Sequence, residues 1–330
     1  MEYEIKLISI LTPCYNEEEN VEAVYQETKK VFDELNDYAY EHIFIDNAST
    51  DKTVQILRKI ASVDKNVKII VNTRNFGHIR SPYYGLLQAT GNAVVVLVAD
   101  LQDPPELIKT FIKKWEEGYK TVLGIRAKSE ESFIMSLIRK FYYRLVKRLS
   151  DVELIKDSTG FGLYDQCVIK TLRTIDDPYP YFRGLTAELG FKSAQIEYSQ
   201  QSRKRGITKN NFLTLYDLAM LGITNYSKIP LRLATMLGFL SSVLSFLIAV
   251  IYLGYKIFFW RSFSIGVAPV VIGLFFFSSV QLFFLGIVGE YIGSIHTQVH
   301  KRPLVVEEER VNFEPSKEEA IPETNIEKLN

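Results

Sequence analysis

Two stretches near the C-terminal end leave this chain few ways to fold. From Leu233 to Tyr255, and again from Ser262 to Gly289, no residue is charged, and each run exceeds the roughly 20 residues a helix needs to cross a bilayer core. The sequence therefore predicts two transmembrane helices, over about 233–257 and 265–290. A helix pair buried in a soluble protein is the bland alternative, but soluble cores rarely contain two uncharged runs of this length.

The 330 residues leave room ahead of these runs for one α/β domain of roughly 200 residues. The N-terminus opens on a strand-like run, Ile5–Leu11, rather than on a signal peptide. The first 230 residues are accordingly expected to stay on the side of the membrane where they are made. Two spans return the chain to that side. Lys228, Arg232, Lys301 and Arg302 flank it, against Lys256 and Arg261 in the short connection. The positive-inside rule then favours a cytoplasmic catalytic domain on an integral protein of the cell (inner) membrane. The tail, 301–330, is rich in Glu, lacks apolar periodicity after Phe313 and is expected to be largely disordered.

Lys plus Arg and Asp plus Glu number 39 each. That balance argues against nucleic acid as a partner. Cys14 and Cys167 lie far apart with no CxxC pairing, so neither a disulfide framework nor a zinc site is expected, in keeping with a reduced compartment.

Apolar runs Ile5–Leu11, His42–Ile45, Val67–Val71 and Ala93–Val98 alternate with amphipathic stretches such as Val21–Leu35 and Lys52–Ala61. This is the pattern of β–α units on a parallel sheet, whose ligands bind at the carboxyl ends of the strands. The segments that follow the runs are polar and acidic: Thr12–Glu17, Asp46–Asp51, Asn72–His78 and Ala99–Pro105. None contains GxGxxG or GxxxxGK[ST], which disfavours a dinucleotide fold or a P-loop. A further strand, Thr121–Ile125, ends in Arg126. Phe133–Leu149 then sets an apolar stripe beside a basic face, and a second amphipathic candidate, Phe212–Ile223, inside a juxtamembrane stretch 211–230, leads into Lys228, Pro230 and Arg232 at the mouth of the first span. The first suits a helix lying on anionic lipid, and equally a surface helix with a solvated basic face.

Several residues fit the chemistry of sugar transfer from an activated donor. Asp100 and Gln102 offer oxygen ligands at a strand end, suited to a hard divalent cation, although an Asp before Pro-Pro is also an ordinary turn. Glu17 and Asp46 could accept hydrogen bonds from ribose hydroxyls or a base N–H, while Asn16 or Asp51 could simply start the next helix. Arg203, Lys204, Arg205 and Lys209, shortly before the first span, could hold a phosphate at headgroup height or form a solvated basic loop.

Taken together, Tyr15-Asn16-Glu17-Glu18, Asp46 with Ser49-Thr50-Asp51, Arg74-Asn75-Phe76-Gly77, Asp100-Leu101-Gln102-Asp103-Pro104-Pro105-Glu106, Arg183-Gly184-Leu185, Pro230-Leu231-Arg232 and Gly289-Glu290-Tyr291-Ile292-Gly293 resemble the family 2 glycosyltransferases, in the polyprenyl-phosphate glucosyltransferase and dolichol-phosphate mannose synthase branch. The resemblance runs from about Ile8 to Pro303. It implies a GT-A fold, a Rossmann-like mostly parallel α/β sheet over 1–210, with interfacial helices and a two-helix transmembrane region over 231–300. It also implies a Mg²⁺ or Mn²⁺ cofactor, a nucleotide-diphosphate sugar donor, a polyprenyl phosphate acceptor, inverting single displacement and a homo-oligomer.

Carried over residue by residue, the resemblance gives Pro13, Tyr15, Glu17, Asp46, Arg74 and Asp100 to the nucleotide sugar, and Asp100 and Gln102 to the metal. Arg126 falls to the phosphates, and Arg203, Arg205 and Lys209 to the acceptor phosphate. Asp100, Asp157 and Arg126 are then the catalytic candidates. Two positions depart from the pattern. Val98 stands where relatives carry the first Asp of Asp-Ala-Asp-Leu-Gln, and Gly160 stands where many carry Asp before Phe161, so that Asp157 becomes the substitute. Processive polysaccharide synthases share the core but carry QxxRW, and Trp115 and Trp260 sit in no such setting. A membrane-bound nucleotide-sugar-binding subunit without activity is the other reading that Val98 and Gly160 raise.

Overall fold

The structure, a computed structural model, describes residues 5–126, 155, 158–200, 220, 227, 229–259 and 267–314. Asp157, Arg203, Arg205, Lys209, the stretch Phe133–Leu149 and all of 211–223 except Met220 lie outside the described residues. The chain divides into two units, one made of Met1–Glu130, Ile155–Thr208 and Arg302–Asn330, the other of Glu131–Leu154 and Lys209–Lys301.

The first unit is an eight-stranded sheet. Its strands are β1 (Lys6–Cys14), β2 (Tyr38–Asp46), β3 (Val67–Asn72), β4 (Ala93–Val96), β5 (Thr121–Arg126), β6 (Ser158–Asp165), β7 (Ser193–Tyr198) and β8 (Glu307–Val311). They lie in the order β7-β5-β6-β4-β1-β2-β3-β8. β1 pairs in parallel with both β2 and β4, and β2 with β3; β6 and β8 run antiparallel to their neighbours. The expected mostly parallel α/β domain is present.

Its helices are α1 (Val21–Asp33), α2 (Thr53–Val63), α3 (Gly77–Gln88), α4 (Leu107–Glu116), α5 (Gln166–Arg173) and α6 (Phe182–Glu188). Alternation along the strands divides the core in two, because successive side chains point to opposite faces of a sheet. Ile8, Ile10, Phe44 and Ile69 pack with Val24 and Phe32 of α1, Leu57 of α2 and Phe111 of α4. Leu11, Ile43, Ile45 and Ile70 pack on the other face with Tyr83 and Leu86 of α3, Ile169 of α5 and Leu185 of α6. Each such side chain taken fully out of water is worth about 1.5–3 kcal/mol.

The tail departs from its expected disorder. Glu307–Val311 is an edge strand on β3, and residues 315–330 lie outside the described residues. Its acidic composition hid a two-residue period: Val305 is buried, Glu309 forks onto Arg58, and Arg310 lies over the Phe313 ring at 4.6 Å. Charged side chains are ordinary on an edge strand.

The second unit contains α7 (Ile229–Phe258) and α8 (Val267–Val299). Within them Ile229–Ile248 and Gly273–Val299 are long and apolar enough to cross a membrane. Their large side chains are bare, Phe239 at 73% and Phe283 at 66% exposure. Two hydroxyls inside the helices turn back on their own backbone: Thr235 donates to the Leu231 carbonyl at 3.0 Å and Ser279 to that of Phe275 at 2.8 Å. Such bonds satisfy these two hydroxyls where the surround is apolar.

Candidate active site

The chain reverses its direction of winding between β1 and β4. From β1 it steps to β2 and β3 with α1 and α2 on one face, then crosses back over α3 on the opposite face to place β4 on the far side of β1. In open α/β sheets the crevice at the carboxyl ends of such strands is where ligands bind. The segments after β1, β2, β3 and β4 meet at that edge, together with Arg126 at the end of β5 and Ser158 at the start of antiparallel β6.

Three of these loops hold a residue other than glycine in the left-handed region: Asn16 (φ 54°), Ala48 (φ 61°) and Leu101 (φ 53°). Each costs on the order of 1–3 kcal/mol and persists only when its surroundings fix it. For Asn16 the fixing bonds are visible. Its N–H donates to the Ser49 hydroxyl at 2.8 Å, and its side-chain oxygen accepts from the Thr50 N–H at 2.8 Å. Ser49 donates both its N–H, at 2.8 Å, and its hydroxyl to Asp46. The Glu17 N–H donates to the Thr53 hydroxyl at 2.9 Å, and the Lys52 N–H to the Glu18 carboxylate at 2.9 Å. The β1 and β2 loops are thus laced into one surface.

Asp46 is fully buried, and burial raises its carboxyl pKa against the opposing bonds from Ser49. Glu17, part-buried, accepts from the Asn20 amide at 2.7 Å. Asp51 accepts from the Thr53 N–H at 2.9 Å and so helps to start α2, as one reading of the sequence held. Asn16 starts no helix: α1 begins at Val21, with Asn20 before it. Pro13, beside Ile45 near the end of β1, and Tyr15, just beyond it, border the same surface.

The β3 loop is held by amides. Asn47 accepts from the Phe76 N–H at 2.9 Å and from the Asn72 amide at 3.2 Å, and donates to Asn75 at 2.9 Å and to the Gly77 carbonyl at 3.2 Å. Arg74 stands exposed beside this knot, its guanidinium 4.1 Å from the Phe76 ring centre. Gly77 opens α3 at φ 89°, a conformation that favours glycine.

After β4 the backbone turns tightly at Leu101, and the Gln102 N–H donates to Asp100 Oδ1 at 3.2 Å. Asp103, 2% exposed, accepts from the Tyr198 hydroxyl and from the Gln200 amide at 3.4 Å, tying this loop to the end of β7. Burial raises the Asp103 pKa, while nearby Arg126 pulls it down. The Arg126 Nε is itself buried and has no hydrogen-bond partner among the described residues. Arg183, at the start of α6, donates to the Ser158 carbonyl at 3.0 Å on the same edge. Gly160, at φ 93°, occupies a backbone conformation that favours glycine and in which an Asp would be strained.

Among the described residues no three His, Cys, Asp or Glu side chains form a metal cluster. The donor set at the β4 loop still fits a hard cation such as Mg²⁺, which is commonly held by one or two protein oxygens with phosphate and water completing the shell. Asp100 and Gln102 sit on one turn and supply only oxygen.

The structure therefore brings Pro13, Tyr15, Glu17, Asp46, Arg74, Asp100, Gln102 and Arg126 to one sheet edge. Sequence reasoning missed Asn47, the Tyr198–Asp103 link and β8. The signal for Asn47 was a cluster of Asn residues at strand ends, Asn47, Asn72 and Asn75, each able to hydrogen-bond across a turn.

Residues 9–172 match the family described as Glycosyl transferase family 2. The chain is similar to the uncharacterized glycosyltransferase YkcC of Bacillus subtilis, 38% identical over 93% of this chain and 94% of that protein. It is also similar to the bactoprenol glucosyl transferase of Shigella phage SfX, 32% identical over 90% of this chain and 97% of that protein. A solved structure, glucosyl-3-phosphoglycerate synthase from Mycobacterium tuberculosis with Mn²⁺, UDP and phosphoglyceric acid, covers 66% of this chain and 76% of its own at 18% identity and a TM-score of 0.47. By the residues matched and by likeness along nearly its whole length, the chain belongs to the family 2 glycosyltransferases.

Proposed function

We propose that this chain transfers a hexose, with UDP-glucose the first-choice donor, to the phosphate of a polyprenyl lipid, acting as an integral protein of the inner membrane with its catalytic domain in the cytoplasm. The observation that carries this reading is the Asp100–Gln102 turn, set at the switch point with the β1 and β2 loops beside it and Arg126 on the same edge. Two helices apolar enough to span a membrane, and a bactoprenol glucosyl transferase among the similar proteins, support a lipid acceptor.

Pro13, Tyr15 and Glu17 would line the nucleotide, and buried Asp46 would act through Ser49 and Asn16 rather than by direct contact. Arg74 and Arg126 would face the diphosphate; Asp157 remains a catalytic candidate, and Arg203, Arg205 and Lys209 remain candidates for the acceptor phosphate. A divalent cation held by Asp100 and Gln102 would neutralise the departing diphosphate. The acceptor needs no strong general base, because a phosphate monoester, with a second pKa of about 6, is largely dianionic at neutral pH. Its oxygen forms a bond to the anomeric carbon as the bond from that carbon to the diphosphate breaks, and the sugar's configuration inverts. The protein's contribution is to hold two anions in line and to exclude water.

Val98 is 37% exposed at this edge and brings no carboxylate, which favours as a second reading a subunit that binds nucleotide sugar without turning it over. A panel of radiolabelled UDP- and GDP-sugars offered to purified protein with polyprenyl phosphate separates the two. One donor giving lipid-linked product supports transfer and names the sugar; binding without product across the panel supports the second reading.

A further inference from the structure

The strand that follows α8 is fastened to the edge of the sheet where the donor loops gather. β8 pairs antiparallel with β3, with Asn72 opposite Glu307. Just before it, the Val306 carbonyl accepts from the Thr73 N–H at 3.0 Å and from the Thr73 hydroxyl at 3.3 Å. Thr73 is the first residue of the β3 loop and the neighbour of Arg74. Without this carbonyl the Thr73 N–H would have only solvent to bond, and the loop would lose its anchor on the side away from Asn47.

Side chains hold β8 in place from both sides of the sheet. Arg310 donates to the Gln88 side chain at 2.9 Å and to the Tyr84 hydroxyl at 3.4 Å, both on α3, the helix into which the loop leads. The Asn312 amide donates to the Ala61 and Val67 carbonyls, at 2.8 and 2.9 Å, between α2 and β3. Arg58 of α2 pairs with Glu309. The strand therefore grips both ends of the unit that carries the β3 loop: strand β3 before it and helix α3 after it.

We propose that Val306–Asn312 is a positioning element for the donor site, holding Thr73 and the β3–α3 loop so that Arg74 faces the nucleotide diphosphate. The proposal rests on the reading of this edge as the donor site. It makes affinity for a nucleotide depend on a segment more than 200 residues downstream, beyond the second apolar helix.

The test uses the full-length protein in detergent with Arg310→Ala and Asn312→Ala combined, UDP and GDP as probes, and amide hydrogen exchange alongside. The expected result is faster exchange at 73–77 as well as at 307–311, by about tenfold or more, nucleotide affinity weakened about tenfold, and kcat changed less than threefold once donor saturates. Faster exchange confined to 307–311, with wild-type affinity for the nucleotide, would overturn the proposal. Wild-type protein that binds neither UDP nor GDP would overturn the donor-site reading instead, whatever the exchange pattern. Since the double variant could unfold, Arg58→Ala, which loosens β8 only from the exposed α2 side, serves as a second variant; the same two regions should respond together and by less.

Discussion

The backbone N–H of Asn16 donates to the Ser49 hydroxyl at 2.8 Å, and that hydroxyl donates in turn to buried Asp46. One small side chain thereby fixes a left-handed residue at the end of β1 to a carboxylate at the end of β2. Ser49→Ala removes both bonds and leaves Asp46 with the Ser49 N–H alone from that residue. Hydrogen bonds to charged groups are worth about 1.5–3 kcal/mol, so a stability loss of that size is expected in thermal or denaturant unfolding. Donor KM should rise about tenfold with kcat little changed, since the loop is loosened and no reacting group is lost.

Asp100→Asn keeps an oxygen to accept the Gln102 N–H and removes the charge. Unfolding should stay within about 1 kcal/mol of wild type, while transfer falls about 100-fold or more. The Mn²⁺ concentration giving half-maximal rate should rise, read from initial rates across a metal titration. An unfolding shift as large as the activity loss would instead make Asp100 a structural turn residue.

Arg126 ends β5 with its Nε buried and unpartnered among the described residues. An anion at this edge would satisfy it. Arg126→Ala should lower kcat/KM by about 100-fold, and Arg126→Lys should recover only part of that, because an ammonium cannot reproduce the planar fork of a guanidinium. Complete recovery by Lys would mean that the site needs charge alone.

Glu41, 3% exposed, accepts from the Thr90 N–H at 2.7 Å and pairs with Lys68 at 2.6 Å, and also accepts from the Ser9 hydroxyl. Burial opposes its charge, but the bonds from Lys68, Ser9 and Thr90 prevail and hold its pKa below the usual value. A carboxyl lowered on folding stabilises the native state above its unfolded pKa, about 4.3, and that stabilisation is lost as pH falls through the folded value. Glu41→Gln should therefore cost about 2–4 kcal/mol at pH 7, and the gap to wild type should narrow below about pH 4. Thermal unfolding of both proteins from pH 7 to 3 checks the sign. A gap that widens in acid would contradict the assignment.

Strands β1 to β5 and the two apolar helices were legible because their signals are local, whereas β6 and β7 were not read from the sequence. Ile5–Leu11 and Val67–Val71 are short, mainly apolar runs, and the stretches after Arg232 and Arg261 carry no charge over a span's length. The placement of Asp46, Asp100 and Arg126 at one edge followed from strand ends alone. What stayed hidden depends on partners far along the chain. Glu307–Val311 reads as an acidic tail until Arg58 and the free edge of β3 are in place beside it. Likewise the bond from the Ser49 hydroxyl to Asp46 stayed hidden, because sequence shows a carboxylate at a strand end but not which hydroxyl folds over it.

The most direct test of sugar transfer to lipid is the incorporation of label from UDP-[¹⁴C]glucose into undecaprenyl phosphate by the purified full-length protein with Mn²⁺ or Mg²⁺, beside Asp100→Ala. The account predicts a metal-dependent, lipid-extractable product that is lost in the variant. Equal label in both proteins, or nucleotide binding without lipid-linked product from any donor tried, would contradict it.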